Sequence, residues 1–190
     1  SGNQQRAILA RETNPAIRTT IYFYYMIGQH LHIITFDIPY PANYGGVIDV
    51  FFRIKALSQR GVKIHLHCFE YGREHSAYLE SFCHSVTYYK RETKVAKLFN
   101  TLPYIVCSRD SEELRNNLLK DDYPILLEGL HCCSILTYDV FKDRNIIVRA
   151  HNVEHEYYEH LAMAEVDAKK KVYLRQEVRK LKDFESILNK

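Results

Sequence analysis

Residues 31–57 decide the fold of this chain and read LHIITFDIPYPANYGGVIDVFFRIKAL. The first six residues are mostly apolar, β-branched or aromatic, which predicts a buried strand. From Val47 to Leu57 apolar residues recur every three or four positions, as they do in a helix with one buried stripe. Between strand and helix lies a loop with two prolines and two adjacent glycines. Strand, loop and helix in this order form the first half of a βαβ unit.

The paired glycines indicate an anion site at the start of this helix. The first N–H groups of a helix have no partner within it and carry the positive end of its dipole. Gly45 and Gly46 have no Cβ, so a phosphate or carboxylate can approach the backbone closely. The alternative is a tight turn without a ligand. The loop from Asp37 to Gly45 exceeds a plain connection of about 2–6 residues, which favours binding.

The rest of the chain alternates strands and helices. Further strands are predicted at 62–69, 86–89, 124–128 and 146–149, and helices at 47–59, 74–83, 90–100, 108–119, 134–141 and 154–190, the last with a break near Asp167. This alternation predicts an α/β fold: a Rossmann-like parallel sheet with helices on both faces, in three α/β/α layers. Ligands of such sheets bind outside the carboxyl ends of the strands.

Composition limits the class of protein. A net charge of +3 gives no reason to expect a nucleic-acid partner. Five cysteines without a C-x-x-C pair predict a reduced, cytoplasmic protein. Residues 1–25 lack the alternating pattern of the remaining chain, and we interpret them as a tag or leader outside the core. The domain is expected to occupy residues 26–190.

Chemically notable residues lie at the carboxyl ends of three predicted strands or in the loops that follow them. They are Gly45 and Gly46, Glu128, and Arg149 with the His151-Asn152 pair.

His151 allows three interpretations. It opens the pattern H-x-x-E-H, with Glu154 and His155, which in one class of zinc peptidases supplies two histidine ligands and a glutamate base. That motif requires both histidines on one helix, whereas His151 directly follows a strand. Alternatively, His151 is a surface residue beside Asn152, which caps the next helix. In the third interpretation His151 points into the strand-end cleft and hydrogen-bonds a polar ligand.

Two further patterns each allow a purely structural and a functional interpretation. His65 and His67 share one face of the second strand; a metal pair is conceivable, but an exposed polar face is favoured because no third ligand lies nearby in sequence. The predicted helix from Lys90 to Asn100 has lysines on one side and apolar residues on the other. It suits an anionic membrane surface, although an ordinary surface helix packed on the core is favoured.

The motifs together resemble the amino-terminal domain of GT-B glycosyltransferases, in particular the retaining enzymes of family four. The similarity lies in residues 39–46 (PYPANYGG), 56–61 (ALSQRG) and 151–158 (HNVEHEYY), with a long charged helix after them, and it covers about residues 30–190. It implies a hexosyltransferase that moves a sugar from a nucleotide-sugar donor to a saccharide or lipid-linked acceptor.

The resemblance also implies roles for particular residues. The loop of Gly45 and Gly46 would reach toward the donor diphosphate, and His151 would line the cleft as the catalytic residue near the transferred sugar. Tyr44, Glu128, Arg149 and Asn152 would line the acceptor side of the cleft. No cofactor and no bound metal are expected, since the nucleotide-sugar is a substrate.

The same resemblance implies a second half that this chain does not include. A carboxyl-terminal domain with an E-x7-E motif would grip the nucleotide, so the chain alone is expected to be inactive. Lipid-linked acceptors would place the protein in the cytoplasm, peripheral to the inner face of the membrane through residues 90–100.

Overall fold

Parallel strands form the central sheet of the computed structural model, which describes residues 29–189. The strands are β1 (His30–Thr35), β2 (Lys63–Glu70), β3 (Ser85–Lys90), β4 (Ile125–Glu128) and β5 (Ile146–Arg149). They lie in the order β3-β2-β1-β4-β5, and each neighbouring pair is parallel. The predicted Rossmann-like sheet is therefore confirmed.

Helices cover both faces of this sheet. The α-helices of residues 29–189 are α1 (Gly45–Gln59), α2 (Ala77–Glu80), α3 (Tyr104–Cys107), α4 (Glu112–Leu118), α5 (Glu154–Ala164) and α6 (Ala168–Glu185). Adjacent residues of β1 serve opposite layers, since side chains alternate along a strand. Ile33 packs in a core cluster with Val50 and Ile54 of α1, and Ile34 packs in a second cluster with Leu181 of α6. This arrangement confirms the three-layer prediction.

The strand order creates a switch point between β1 and β4, where the chain reverses its direction of winding. Such a point leaves a crevice at the carboxyl ends of the strands. The register pairs Thr35 with Glu128, and Glu128 with Arg149. The residues that come after β1, β4 and β5 therefore lie side by side. The carboxyl-terminal ends of these strands form one edge of the sheet.

The prediction of a helix at residues 90–100 is wrong. β3 extends to Lys90, and the backbone N–H of Glu92 then donates to the Ser108 carbonyl at 2.8 Å. Within the predicted range only Val95–Phe99 is helical, and it forms a 3-10 helix. Val95 and Phe99 are exposed rather than packed on the core, so the favoured interpretation of an ordinary amphipathic helix fails.

Other boundaries differ for local reasons. The helix predicted at 108–119 begins at Glu112, because the Ser111 hydroxyl accepts from the Leu114 N–H as an N-cap. The helix predicted at 134–141 is replaced by two 3-10 helices, Leu130–Thr137 and Asp139–Phe141. The break near Asp167 is confirmed, since the Asp167 carboxylate caps α6 by accepting from the Lys170 N–H at 2.7 Å.

The prediction that His65 and His67 form an exposed polar face is wrong. His67 is buried, with 4% of its surface exposed, and His65 is half-buried. Histidines of β1 cover them from the neighbouring strand. The interpretation of residues 1–25 as a leader lies outside the described residues.

Candidate functional site

The loop between β1 and α1 is tied together by Asp37. This buried carboxylate accepts from the Ile38 N–H at 2.8 Å and from the Tyr44 hydroxyl at 2.9 Å. Burial, with the hydrogen bond to Asp37, raises the pKa of Tyr44 to about 12. The Tyr44 hydroxyl therefore remains a donor at neutral pH and holds the loop closed immediately before α1.

The amino terminus of α1 presents free backbone donors. The first helical hydrogen bond runs from the Ile48 N–H to the Tyr44 carbonyl. The N–H groups of Gly45, Gly46 and Val47 therefore have no partner within the helix. Tyr44, at the N-cap position, makes no side-chain cap, and the first turn contains no acidic residue.

The two glycines serve different purposes. A Cβ on Gly45 would meet nothing within 4 Å, so this position faces open space. A Cβ on Gly46 would lie 2.9 Å from Cζ of the Phe36 ring. Gly46 is thus required by packing against the residue after β1, whereas Gly45 leaves room beside the free amides.

Alanine substitutions should separate these two roles. We expect Gly46→Ala to lower the free energy of unfolding by about 1–3 kcal/mol, because the added methyl group must displace the Phe36 ring. Gly45→Ala, the matched control, should change stability by less than about 0.5 kcal/mol. Urea denaturation of both variants measures the difference. Equal stabilities would contradict the assigned packing of Gly46.

Phe36 connects the glycines to His151. Its ring contacts the His151 imidazole edge to face, with centroids 5.9 Å apart, and lies 5.3 Å from the His131 ring. Gly129, after β4, has a φ of +89°, and a Cβ there would lie 3.3 Å from the His151 ring. The imidazole after β5 and Gly46 in the first turn of α1 thus lie at the same edge, with the Phe36 ring beside both.

A buried carboxylate holds His151 in place. Glu128 is fully buried, and its Oε2 lies 3.0 Å from His151 Nε2 and 3.2 Å from Arg149 Nη1. Its Oε1 lies 3.1 Å from Arg53 Nε, at an angle unsuitable for a hydrogen bond. Asp49 on α1 also pairs with Arg149. With Nε2–H donating to Glu128, Nδ1 of His151 is the acceptor, and it faces Arg149 at a long 3.4 Å.

Arginines supply positive charge to the same edge. Arg109 is buried, and donates to the carbonyls of Phe36 and Ile105, each at 3.0 Å. Burial lowers its pKa to about 10, so it stays charged at neutral pH. Arg73 and Arg91 come after β2 and β3. Among the ion pairs of residues 29–189, none joins these three arginines to a carboxylate.

Sequence reasoning missed two residues of this cluster, Arg109 and His131. Arg109 comes after helix α3, which was not predicted, so no local sequence pattern predicted that Arg109 would be buried. His131 lies in the 3-10 helix after Gly129, and burial lowers the pKa of His131 to about 3, with Arg109 contributing. Only the position of His131 shortly after a buried strand offered a signal.

The helix cap predicted for Asn152 and the H-x-x-E-H zinc motif are not formed. α5 begins at Glu154, so His151 lies outside the helix that carries His155. The zinc-peptidase motif is therefore not assembled. Asn152 does not occupy the N-cap position, which belongs to Val153; the Glu185 carboxylate accepts from the Glu154 N–H instead. Asn152 lines a separate cavity of about 640 Å³ beside β5.

Comparison with known proteins yields a partial relative. A Klebsiella pneumoniae protein, described as an uncharacterized 44.6 kDa protein in the cps region, is 34% identical over 149 residues. The match covers 74% of this chain and 38% of the relative, so the chain spans about two fifths of that protein's length. No protein-family model and no solved structure matches the chain.

Proposed function

We propose that this chain is the amino-terminal, acceptor-side domain of a GT-B glycosyltransferase that transfers a sugar from a nucleotide-sugar donor to a saccharide or lipid-linked acceptor. The observation that carries the proposal is the convergence of the uncapped start of α1 and His151 at the switch point of one parallel sheet. Open α/β sheets bind ligands at this position.

The charge distribution supports a diphosphate as one ligand group. Gly45 leaves open space beside the free amides of α1, and helix amino termini favour phosphate. Arg73, Arg91 and Arg109 add positive charge along the same edge without a carboxylate partner within residues 29–189. A donor diphosphate would receive hydrogen bonds from the Gly45 and Gly46 amides.

His151 is assigned to the sugar. Glu128 accepts from Nε2 and so leaves Nδ1 as the nitrogen that a sugar hydroxyl can engage in place of the long contact with Arg149. Glu128 and Arg149 then act as positioning residues for the imidazole, and Tyr44 acts through the loop that it closes. Asn152, the chain neighbour of His151, hydrogen-bonds the Glu154 side chain and is proposed to line the acceptor side of the cleft.

The relative supports a role in polysaccharide assembly. Its description places it in a cps region, which points to capsular polysaccharide. Its mass of 44.6 kDa, against 22.4 kDa for this chain, leaves room for a second domain that would hold the nucleotide. No cofactor is invoked, since the nucleotide-sugar is a substrate.

Peripheral membrane contact would suit a lipid-linked acceptor. Val95 and Phe99 are exposed, and Lys94 lies beside them. Exposed apolar residues with neighbouring lysines favour an anionic bilayer surface. No helix within residues 29–189 is long and apolar enough to cross a bilayer.

The test uses the full-length protein and a panel of UDP- and GDP-sugars. We expect His151→Ala to lower turnover by about 100-fold, a typical loss for a positioned catalytic side chain, while the variant remains folded at the assay temperature. The matched control is His160→Ala, which removes an exposed histidine from α5.

Two outcomes would revise the proposal. Wild-type turnover in His151→Ala would remove His151 from the mechanism. Nucleotide binding without transfer to any acceptor, with Gly45→Ala weakening that binding, would favour a non-catalytic phosphate-binding module. A downstream domain with two glutamates eight residues apart would favour the transferase.

A further inference from the structure

A group of histidines lies at the amino-terminal ends of the strands, opposite the carboxyl-terminal edge that holds Gly45 and His151. His30 and His32 belong to the start of β1, His65 and His67 to β2, and His84 immediately precedes β3. The parallel register pairs His32 with His65 and therefore brings these residues together from three segments. Their grouping has no part in the proposed transferase chemistry.

The inner pair forms a closed hydrogen-bond chain. His32 Nε2 lies 2.9 Å from Asp121 Oδ1, and His32 Nδ1 lies 2.8 Å from His67 Nε2. His67 Nδ1 lies 2.8 Å from the Tyr89 hydroxyl, which also accepts from Asn117. Neutral imidazoles satisfy every one of these contacts, because each ring donates from one nitrogen and accepts at the other. This pair is a structural network with no nitrogen free for a ligand.

The outer three histidines differ from this pair. Each of His30, His65 and His84 offers a ring nitrogen, and these three nitrogens all lie within 4.8 Å of one another. His30 Nδ1 and His65 Nε2 are 2.7 Å apart. Nitrogens that share a tetrahedral zinc ion lie about 3.3 Å apart, so a small adjustment of the rings suffices. His84 is exposed, which leaves a path to solvent.

We propose that His30, His65 and His84 bind a Zn²⁺ ion that fastens the amino-terminal ends of β1, β2 and β3 together. Imidazole is a preferred ligand of zinc, and three histidines leave a fourth position for water.

The surroundings prepare these ligands for a metal. The His84 N–H donates to the Ile64 carbonyl at 2.7 Å, so the sheet fixes its backbone. Ser85 Oγ lies 3.0 Å from His65 Nδ1; by accepting a hydrogen bond from Nδ1–H, the hydroxyl leaves the bare Nε2 facing His30. The Tyr123 ring stacks on both His30 and His65, with centroids 4.4 and 5.6 Å away.

Nearby charges are mixed. Lys63, the first residue of β2, places an ammonium group near His30, and Asp121 places a carboxylate near His30 and His65. This carboxylate also hydrogen-bonds His32 and pairs with Arg144, so it offsets the ammonium group only in part.

The experiment measures zinc directly. The purified chain is stripped with EDTA and dialysed against buffer with Zn²⁺, and bound zinc is counted by elemental analysis. We expect one zinc per chain and a melting temperature raised by on the order of 5 °C with zinc present. Magnesium, which prefers oxygen ligands, should have no effect.

Variants make the assignment specific. His84→Ala removes an exposed ligand without disturbing the core, and it should weaken zinc binding at least tenfold and abolish the thermal shift. His160→Ala, an exposed histidine on α5, should behave as wild type. Zinc binding retained by His84→Ala, or absent from the wild-type chain, would overturn the site. Neither readout uses transferase activity, so this result is independent of the proposed function.

Discussion

Lowering the pH from 7 to 4 in the presence of EDTA is expected to reduce the free energy of unfolding by on the order of 5 kcal/mol. Folding stability of an ordinary domain is about 5–15 kcal/mol, so this loss is roughly one third of the total or more. The expectation comes from histidines that burial keeps neutral, chiefly His67 and His131. Burial lowers the pKa of each to about 3.

The direction is set by proton binding in the two states. In the unfolded chain each histidine binds a proton below about pH 6.5. In the folded chain the same imidazoles stay neutral down to about pH 3. The unfolded state therefore binds more protons throughout this window, and stability falls as the pH falls. His32 and His65 add to the lowering at His67, and Arg109, Arg91 and His151 add to it at His131.

Urea denaturation at several pH values measures the effect. His131→Asn should remove the contribution of His131 and make the loss of stability between pH 6.5 and 4 smaller by roughly a third, because His65, with a pKa lowered to about 4, contributes as well. The matched control His160→Asn changes an exposed histidine and should keep the wild-type dependence. If the free energy of unfolding fell with pH as steeply in His131→Asn as in the wild type, His131 would already be protonated in the folded state.

The sheet was predictable because its signals are local. β1 and α1 carry their periodicity within residues 31–57, and the glycine pair marks the start of α1 within a residue or two. Parallel topology is then a consequence of the alternation of elements. It also predicts that the residues after β1, β4 and β5 share an edge, which is how Glu128, Arg149 and His151 could be grouped in advance.

The purpose of Gly46 was not predictable from the same residues. Its missing Cβ suggested room for an anion, but the structure gives that room to Gly45 and places the Phe36 ring against Gly46. Such a contact depends on how the loop returns from β1 to α1. Spacing in the sequence does not specify that path.

Arg109 and the histidine cluster were missed for a related reason. α3 has only four residues, too few for a periodic pattern, and it determines where Arg109 is buried. The sequence suggested only His67 as a partner of His65, whereas His30 and His84 reach it from separate segments through the strand register. Clusters assembled by register become visible only once the strand order is known.

Glu128→Ala is expected to lower the free energy of unfolding by about 3 kcal/mol, the largest effect of a single substitution at the candidate site. The carboxylate is fully buried and contacts Arg149, His151 and Arg53. Removing one partner from a buried charge network leaves the others without compensation and typically costs about 3–5 kcal/mol. The arginines are about one third exposed and regain some hydration, which places the expected loss at the lower end.

Asp49→Ala is the matched control, because Asp49 pairs with the same arginines from α1 but is 44% exposed. Exposed ion pairs contribute about 0–1 kcal/mol, so this variant should remain close to wild type. Glu128→Gln keeps the shape of the side chain while removing its charge. A free energy of unfolding between those of the wild type and Glu128→Ala would separate the contribution of packing from that of electrostatics. If Glu128→Ala were no less stable than Asp49→Ala, the buried carboxylate could not be what holds His151 at the edge. The imidazole would then depend on Phe36 and the Gly129 turn for its position.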